Sequence, residues 1–434
     1  MPPDSVTSST AAWQPPTGFV PVESRLAGVT VYAPAPEAEK GPEALIFTCP
    51  RCGAATAYDP GAASVTCGSC GTPQYFQAQL VGRAAAANEF RVEVLDREAR
   101  GWGRERRELH CEACGADLSL APNDLSTTCA FCGSTRVAAR AATNDGLRPR
   151  FLIPFKVQAD ACPRLAREWL GRGWMHPAGL SVAAGSAQFT GLYLPFWTFG
   201  ARVAADWRAE VGHEVQRRYF DGHDMKWKTR TEIEWRWQAG RVTVAVSDHL
   251  EAGTTKISAT LLGRVATYDL NGLAAYDPAF LAGWQAQAYD RPLAAAWDDA
   301  RTFMREAARQ ACQDDIASPH VRNLSVAADF EDESWRYILA PAYLAPYRFN
   351  DQVYQLLING QTGAVVGQKP VEWLRVWLVV AAVLAPGLLL GLAGLLLAVA
   401  SIGLVLLTLG GGLFLGGLML SGYIVTQAMR AEAP

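Results

Sequence analysis

CPRCG at residues 49–53 and CGSCG at 67–71 open the part of the chain that decides the fold, and CEACG at 111–115 and CAFCG at 129–133 repeat the pattern. In both copies fourteen residues separate the two Cys-x-x-Cys pairs, and each cysteine of the first set recurs 62 positions later in the second. Eight of the ten cysteines therefore form two matched sets of four.

These two sets predict two structural zinc sites. Four cysteine thiolates complete the tetrahedral coordination of Zn²⁺, with Zn–S distances of ~2.3 Å, and leave no open position for water or substrate. The glycine after each pair can adopt a positive φ, so the knuckle turns tightly and points backbone N–H groups at the sulfurs. Because so small a module buries little apolar surface, the metal is expected to supply about 10 kcal/mol of its folding free energy. The predicted ligands are Cys49, Cys52, Cys67, Cys70, Cys111, Cys114, Cys129 and Cys132.

The charge of the cysteine region bears on what it binds. Residues 41–150 hold twelve Arg and no Lys against twelve Asp plus Glu, and the whole chain has a net charge of −3. Nucleic-acid-binding domains usually carry a basic excess. The balance therefore favours protein contact or an architectural role for these modules, with DNA or RNA binding as the alternative.

A second unusual stretch, residues 376–429, contains no Asp, Glu, Lys or Arg and has seventeen leucines. As one helix it would be about 80 Å long, more than twice the ~30 Å thickness of the hydrocarbon core of a bilayer. Two membrane spans are therefore predicted, at about 376–398 and 403–425, with a turn near Ser401.

The flanking charges predict the orientation of this hairpin. Lys369 and Arg375 precede it and Arg430 follows it, whereas the turn carries no charge. The positive-inside rule places both ends in the cytoplasm, and the polar, Pro-rich residues 1–17 do not resemble a signal peptide. The expected location is the inner (cytoplasmic) membrane, with the N- and C-termini in the cytoplasm.

Small residues recur within the hairpin as Gly387-x-x-x-Gly391 and Gly412-x-x-x-Gly416. Such faces let two helices approach closely. They are predicted to pack the hairpin against itself, with oligomerisation or docking to another membrane protein as the alternative. Because neither span has an ionisable group, ion or proton transport is not expected.

Between the cysteine sets and the hairpin, the sequence alternates with period 2. In residues 229–237, Thr, Ile and Trp occupy the odd positions and Arg and Glu the even ones, which predicts a strand with one buried and one wet face. Turns at Asp221-Gly222 and Ala239-Gly240 would make residues 201–248 an antiparallel meander. The other predicted elements are helices over 160–170 and 292–316, strands over 335–339, 345–349 and 354–358, and a tight turn at 359–363.

The predicted fold class is α+β and β-rich, with tandem four-cysteine zinc ribbons, a mixed antiparallel-sheet and helix domain, and a C-terminal two-helix transmembrane hairpin. The predicted divisions are a disordered Pro/Ser/Ala-rich arm (1–42), zinc ribbon 1 (43–80), a spacer (81–108), zinc ribbon 2 (109–140), the α+β domain (151–370), the hairpin (376–426) and a cytoplasmic tail (427–434).

Candidate catalytic groups are few. No GxxxxGK(S/T), GxSxG or HExxH motif occurs. His213, Asp221, His223 and Asp224 could form a metal or acid-base site, but their spacing matches no motif, and a solvated turn explains part of it. The remaining histidines are isolated in the sequence. For the cysteine sets, rubredoxin-like iron and dithiol redox chemistry are the alternatives to zinc.

Four kinds of sequence block occur between residues 49 and 370: the Cys-x-x-Cys-Gly pairs, Ile153-Pro154-Phe155-Lys156, Gly191-Leu192-Tyr193-Leu194-Pro195-Phe196-Trp197 and Asn359-Gly360-Gln361-Thr362-Gly363. In these blocks, residues 49–370 resemble a bacterial family of membrane-anchored, TFIIB-type zinc-ribbon-containing proteins, often mislabelled primosomal helicase-like. The resemblance implies partners such as SPFH-type scaffolds and phage-shock-protein-A-like membrane-stress proteins. Helicase activity does not carry over, because the ATPase motifs are missing.

The expected function is a non-enzymatic adaptor or scaffold that binds protein partners at the cytoplasmic membrane face. Closed metal sites, balanced charge and the absence of a catalytic motif support it. A membrane-tethered nucleic-acid-binding protein is the alternative, because residues 206–237 interleave aromatic side chains with seven basic ones, although seven acidic ones balance these.

Overall fold

The computed structural model of the chain describes residues 19–22, 31–34, 48–85, 87–89, 107–120, 129–131, 134, 137–141, 147–177, 179–183, 187–223, 225–350, 352–397 and 401–432. The chain divides into two units, Met1–Leu45 and Ile46–Pro434. In the first unit β1 (Phe19–Val22) pairs antiparallel with β2 (Val31–Pro34). The composition of the arm predicts disorder and does not predict this pair, because four-residue strands are too short to give a readable period.

The second unit contains most of the described elements. Its strands are β3 (Thr56–Asp59), β4 (Ser64–Cys67), β5 (Pro73–Gln74), β6 (Asn88–Glu89), β7 (Arg107–Cys111), β8 (Asp117–Leu120), β9 (Val137–Ala141), β10 (Phe151–Leu152), β11 (Thr190–Asp221), β12 (Lys226–Ala252), β13 (Ala274–Ala275), β14 (Gln285–Ala286), β15 (Val321–Phe349), β16 (Gln352–Asn359) and β17 (Val365–Gly367). Its α-helices are α1 (Cys162–Leu170), α2 (Leu180–Ala183), α3 (Ala259–Val265), α4 (Leu293–Asp315), α5 (Trp373–Leu396) and α6 (Ser401–Glu432). Strands β3 to β5 form a small sheet, and β6 to β17 belong to one large mixed sheet.

Three long strands form the centre of the large sheet. β11 pairs antiparallel with β12 on one side and with β15 on the other. The pairing with β15 ends at Val211, whereas the pairing with β12 continues to Asp221, opposite Lys226. The last part of the β11–β12 hairpin is therefore a two-stranded ribbon, which at ~3.3 Å per residue extends about 33 Å past the end of β15.

The predicted strand over residues 229–237 is confirmed, but its apolar face is not covered. Ile233 is 41% and Trp237 62% exposed. Period 2 shows which residues share a face, whereas burial of that face requires another layer of structure. The prediction of one buried face was therefore wrong for this segment.

The hairpin turn after Asp221 is confirmed, whereas the turn predicted at Ala239-Gly240 is wrong, because β12 runs through both residues. Gly240 lies opposite Trp207, and a Cβ at Gly240 would come within 2.8 Å of the Trp207 indole. The indole Nε1 donates a hydrogen bond to Asp315 Oδ2 at the end of α4 (2.9 Å). The glycine therefore makes room for a side chain and does not turn the chain. The strands predicted over 335–339 and 345–349 likewise belong to the single strand β15.

Alternate residues of β11 enter two hydrophobic cores, one on each face of the sheet. The first core includes Tyr193, Trp197 and Phe199 of β11, and Trp297 and Met304 of α4. The second includes Leu192, Leu194 and Phe196 of β11, Leu261 of α3, and Phe131 from the second cysteine module. The large sheet is thus covered by helix α4 on one face and by α3 with a cysteine module on the other.

The predicted tight turn at residues 359–363 is confirmed and has a structural role. Asn359 is fully buried, and its Oδ1 accepts hydrogen bonds from the backbone N–H groups of Gln361 and Thr362, both at 2.9 Å. Its Nδ2 donates to Val265 O at the end of α3 (2.9 Å). Gln361 bonds both the N–H and the C=O of Asp269. The loop therefore ties β16 to α3 and its following segment.

The predicted fold class is confirmed: the structure is a sheet-rich α+β fold with cysteine clusters towards its N-terminal end and two apolar helices at its C-terminal end. The helix predicted over 160–170 corresponds to α1, and the helix predicted over 292–316 corresponds to α4.

Candidate metal centres and membrane helices

The first cysteine module is built from two similar knuckles. In the first, Cys49 O accepts a hydrogen bond from Gly53 N (2.8 Å), and Cys49 N donates to Ala54 O (2.7 Å). In the second, Gly71 N donates to Cys67 O (3.0 Å). Gly53 and Gly71 have φ of +71° and +68°, as predicted from their position after each pair. The glycines thus close the turns that bring the cysteines together.

The sulfur atoms of this module have the spacing of a metal site. The Sγ···Sγ distances are 3.5 Å from Cys49 to Cys70, 3.5 Å from Cys52 to Cys67 and 3.6 Å from Cys52 to Cys70. Four ligands at ~2.3 Å from a tetrahedral zinc would lie ~3.8 Å apart, whereas a disulfide requires ~2.05 Å. The four sulfurs therefore fit a tetrahedral ion and could hold a metal.

Local hydrogen bonds favour the thiolate form, which a metal requires, at two of these four cysteines. The hydroxyl and the backbone N–H of Thr72 lower the pKa of the Cys70 thiol to about 6. The backbone N–H groups of Cys70 and Ser69 lower the pKa of Cys67. Such hydrogen bonds to ligating sulfurs are typical of knuckles that bind metal.

The second module repeats this arrangement. The Sγ atoms of Cys111, Cys114 and Cys129 lie within 4.8 Å of one another, with 3.7 Å between Cys114 and Cys129. Gly115 has φ of +68° and donates its N–H to Cys111 O (2.8 Å). The predicted fourth ligand, Cys132, lies outside the residues that the structure describes. Three sulfurs in this geometry could likewise hold a metal ion.

Both modules are fixed to the large sheet. In the first module Tyr58 N donates to Ala282 O (2.9 Å), and Tyr58 O accepts from Trp284 Nε1 (3.0 Å). In the second module Phe131 is buried, and its carbonyl accepts a hydrogen bond from Gln355 Nε2 of β16 (3.2 Å). The cysteine loops therefore have a defined position in the fold.

The predicted cluster of histidine and carboxylate residues is not assembled. His213 and Asp221 are eight positions apart on one extended strand, about 26 Å at ~3.3 Å per residue. His213 Nε2 contacts Gln238 Nε2 (2.9 Å), and Asp221 accepts hydrogen bonds from His223 N and Lys228 Nζ. Asp224 lies outside the described residues. His213, Asp221 and His223 therefore lie along the end of the β11–β12 ribbon and in its turn, and they do not come together as one site.

Histidines that are isolated in the sequence have partners in the structure. The pairs are His110 Nδ1 with Asp117 Oδ1 (2.7 Å), His176 Nδ1 with Pro370 O (3.0 Å), His249 Nε2 with Glu251 Oε1 (3.0 Å) and His320 Nε2 with Glu214 Oε1 (3.2 Å). Sequence patterns also did not predict a cavity of about 820 Å³ beside β12, to which His249 and Glu251 contribute.

Helices α5 and α6 have the length and composition of membrane spans. The candidate segments are Trp373–Leu396 and Ile402–Arg430, with mean hydropathies of 2.4 and 2.0. Only 17% of an apolar 18-residue stretch of each helix is buried within the protein, whereas a core helix of a soluble protein would be mostly buried. The two helices therefore suggest a membrane location.

Glycines pack α5 against α6, but the two predicted motifs differ. A Cβ at Gly387 would lie 2.6 Å from Phe414 N, and a Cβ at Gly410 would lie 2.5 Å from Gly391 N. The Gly387/Gly391 motif therefore lies in the contact between the helices, as predicted. In contrast, no heavy atom lies within 4 Å of a Cβ at Gly412 or Gly416, so the prediction that this second motif packs the hairpin was wrong.

This difference gives a matched pair of substitutions. Gly387→Leu should force the helices apart and destabilise the hairpin by about 1–3 kcal/mol. Gly412→Leu, whose side chain would enter open space, should cost less than about 0.5 kcal/mol. The measurement is the free energy of unfolding of the full chain in detergent on titration with SDS. Equal losses from both substitutions would contradict this helix contact.

A buried lysine joins the hairpin to the sheet domain. Lys369 Nζ donates to Trp169 O and to Arg172 O (3.0 Å), at the end of α1, and lies 3.9 Å from the centre of the Trp169 ring. Burial, together with the nearby Arg172, lowers the pKa of Lys369 from 10.5 to about 8. Glu372 N then donates to Met175 O (2.8 Å) at the start of α5. The ammonium group thus caps the end of α1 where α5 begins.

Lys369 should make stability depend on pH. Between about pH 8 and 10.5 the unfolded lysine holds a proton that the folded lysine has lost, so stability should rise with pH in this window, by up to about 3 kcal/mol. The side chains in Lys369→Met and Lys369→Arg do not lose a proton in this window, so neither variant should share the rise. The check is chemical denaturation of all three proteins at several pH values, and identical pH profiles would contradict the assignment.

Comparison with known proteins gives one distant relative. Over 354 residues the chain is 25% identical to the uncharacterized protein YdjG of Bacillus subtilis (strain 168), an alignment that covers 76% of this chain and 91% of that protein. No protein-family model matches the chain, and no solved structure matches it.

Proposed function

We propose that this protein is a non-enzymatic, membrane-anchored adaptor that presents two zinc ribbons to protein partners at the cytoplasmic face of the membrane. The observation that carries the proposal is the attachment of both cysteine modules to a sheet that continues into two membrane-type helices. A partner bound to the modules would thereby be held near the bilayer.

Zinc is the metal we assign to both centres. Sulfur spacings of 3.5–3.7 Å in the two clusters, and the lowered pKa of Cys67 and Cys70 in the first, support tetrahedral sites with four sulfur ligands. Zn²⁺ in such a site would organise the knuckles and supply folding energy. In the second centre, the fourth ligand is Cys132, the last cysteine of the second sequence set.

The non-enzymatic part of the proposal rests on chemistry. Four sulfur ligands would leave a metal no position for substrate. The histidines and carboxylates singled out by the sequence are held apart along the β11–β12 ribbon or engaged in local pairs. The cytoplasmic orientation rests on Lys369, Arg375 and Arg430, which flank the two helices.

The family resemblance suggests the kind of partner. It implies SPFH-type scaffolds or phage-shock-protein-A-like proteins, and hence an envelope-stress assembly. A second copy of the chain could also join through the open Gly412/Gly416 face, since small residues permit close helix contact.

Affinity purification tests the proposal. The tagged full chain would be purified from detergent-solubilised membranes beside an unrelated two-span protein with the same tag. We expect specific proteins to co-purify with this chain and not with the control. Repeated failure to recover any specific protein would argue strongly against the adaptor function.

One observation favours nucleic acid binding as a second candidate. At the end of the β11–β12 ribbon, Arg218 lies 5.8 Å from the Trp227 ring and Arg230 lies 5.7 Å from the Tyr219 ring. Trp227 is 63% exposed, so a base could stack on it. Acidic neighbours such as Glu232, which pairs with Arg230, weaken this reading. Absence of a gel shift with single-stranded DNA or RNA at low salt would eliminate it.

A further inference from the structure

The far end of the β11–β12 ribbon differs in charge from the rest of the protein. Residues 217–230, which we call the ribbon tip, contain five Arg or Lys and two Asp, whereas the whole chain has a net charge of −3. The ribbon residues nearer the sheet, 212–216 and 231–238, contain three Glu and one Arg. Positive charge is therefore concentrated at the tip.

The ribbon tip also exposes large apolar side chains. Phe220 and Trp227 lie opposite each other on the two strands, with their ring centres 5.5 Å apart, and both are exposed. Tyr219 is exposed on the other face of the ribbon, and Met225 is exposed in the turn. Single exposed apolar residues are common on protein surfaces, but four within nine positions at one protruding end indicate a contact surface.

Met225 is an independent sign that the tip has an apolar function. Its φ is +47°, a left-handed conformation that bulky side chains rarely adopt and that glycine or asparagine would adopt more easily. Its side chain is 73% exposed, so burial within this chain does little to offset the strain. The turn therefore holds an apolar side chain at its outer end in spite of an unfavourable backbone.

The carboxylates beside the tip do not neutralise it. Glu232 contacts both Arg217 (3.1 Å) and Arg230, and Asp221 contacts Lys228 (2.6 Å). Two carboxylates thus serve three basic groups, and the side chains of both arginines are still 66% exposed. The tip is therefore complementary to a negatively charged surface.

The ribbon tip is distant from the hairpin of α5 and α6 along the sheet. β17, which precedes α5, pairs with β16 at Leu356, and Leu356 pairs with Ala345, the residue after the partner of Thr190. The strand that leads into α5 therefore lies at the start of β11, whereas the tip lies at its other end, about 100 Å away at ~3.3 Å per residue. The tip can therefore reach a surface beyond the lipid that surrounds the hairpin.

We propose that the ribbon tip binds the surface of an anionic lipid bilayer, as a contact separate from the helix hairpin. Phe220, Met225 and Trp227 would enter the boundary between headgroups and acyl chains, where aromatic side chains are enriched in membrane proteins. The neighbouring Lys and Arg side chains would stay at the level of the phosphates. Single-stranded nucleic acid is usually bound in a groove that follows its backbone, and the end of a two-stranded ribbon fits a lipid surface better. The inference goes beyond the adaptor function and does not involve the cysteine modules.

The test uses the full chain in phosphatidylcholine nanodiscs no wider than β11 is long, so that the tip is not covered by its own disc. Sucrose-loaded vesicles of phosphatidylcholine, with or without one third phosphatidylglycerol, are added, and the protein that sediments with them is measured. We expect binding to the anionic vesicles to be about tenfold or more tighter than binding to the neutral ones, and the difference to disappear at high salt. Empty nanodiscs are the control.

Two tryptophans on one face of β12 provide matched variants. Trp227 and Trp237 are 63% and 62% exposed, and the ten positions between them correspond to about 33 Å along the strand. Trp227→Ser should weaken binding to anionic vesicles about tenfold, whereas Trp237→Ser should leave it unchanged. Met225→Gly should also weaken binding, by about threefold or more, while the ribbon stays folded because glycine adopts a positive φ without strain.

A second pair of variants tests the charge. Lys226→Gln removes a positive charge at the tip, and Arg236→Gln removes one about 33 Å away along the strand. Only Lys226→Gln should weaken binding, by about fivefold. Failure of wild type to bind anionic vesicles, equal binding to neutral vesicles at low salt, or equal losses from Trp227→Ser and Trp237→Ser would each overturn the proposal. Binding of single-stranded RNA without any binding of vesicles would also overturn it and would assign the tip to nucleic acid.

Discussion

Replacing Cys67 by serine is expected to reduce the zinc content of the full chain from two ions to one and to unfold the first cysteine module. A serine hydroxyl cannot replace the thiolate in a four-sulfur site, and loss of the metal removes about 10 kcal/mol from the folding of so small a module. Cys111→Ser should have the same effect on the second module. Elemental analysis of purified protein measures the ion count, and hydrogen exchange of β3 and β4 measures the unfolding.

The two remaining cysteines provide the matched control. Cys162 and Cys312 are fully buried in the hydrophobic core, away from either cluster, and burial raises the pKa of the Cys162 thiol to about 12. Cys162→Ser and Cys312→Ser should therefore retain two zinc ions. A wild-type chain without zinc, or a Cys67→Ser chain that keeps two ions, would contradict the assignment of the centres.

A chain that ends at Pro370 is expected to move completely from the membrane to the soluble fraction. Removing residues 371–434 deletes both apolar helices, while among the described residues the two large cores of the sheet domain include none beyond Val366. The remaining protein should therefore stay folded and lose only its anchor. Fractionation followed by alkaline carbonate extraction measures the distribution, and circular dichroism checks the fold.

The control for this truncation is a chain in which Gly412→Leu alters the exposed face of α6 without removing a span. It should remain in the membrane pellet after carbonate extraction, as the wild type should. Retention of the truncated, folded chain in the pellet would show that the helices are not the anchor.

The cysteine clusters could be predicted from sequence because their geometry is local. A Cys-x-x-Cys-Gly knuckle fixes its own turn, and the positive φ of Gly53, Gly71 and Gly115 follows from residues adjacent to the sulfurs. The apolar helices were predictable for a similar reason, since a long uncharged run needs no distant partner to be recognised.

The features that sequence did not predict depend on distant contacts. Gly240 lies within a strand and not in a turn. It is a glycine because the indole of Trp207, far earlier in the chain, fills the space that a Cβ would need. His176 bonds the carbonyl of Pro370, a residue 194 positions later. The cavity beside β12 exists only because α3 and α4 pack on opposite faces of one strand edge.

The central claim is that the protein holds a partner at the membrane, and the location of that partner tests it most directly. The protein recovered most specifically by affinity purification would be quantified in membrane and soluble fractions from cells that contain either the full chain or the chain ending at Pro370. The adaptor function predicts that the partner is at the membrane with the full chain and moves to the soluble fraction with the truncated chain. A partner that stays at the membrane in both cases would contradict the claim.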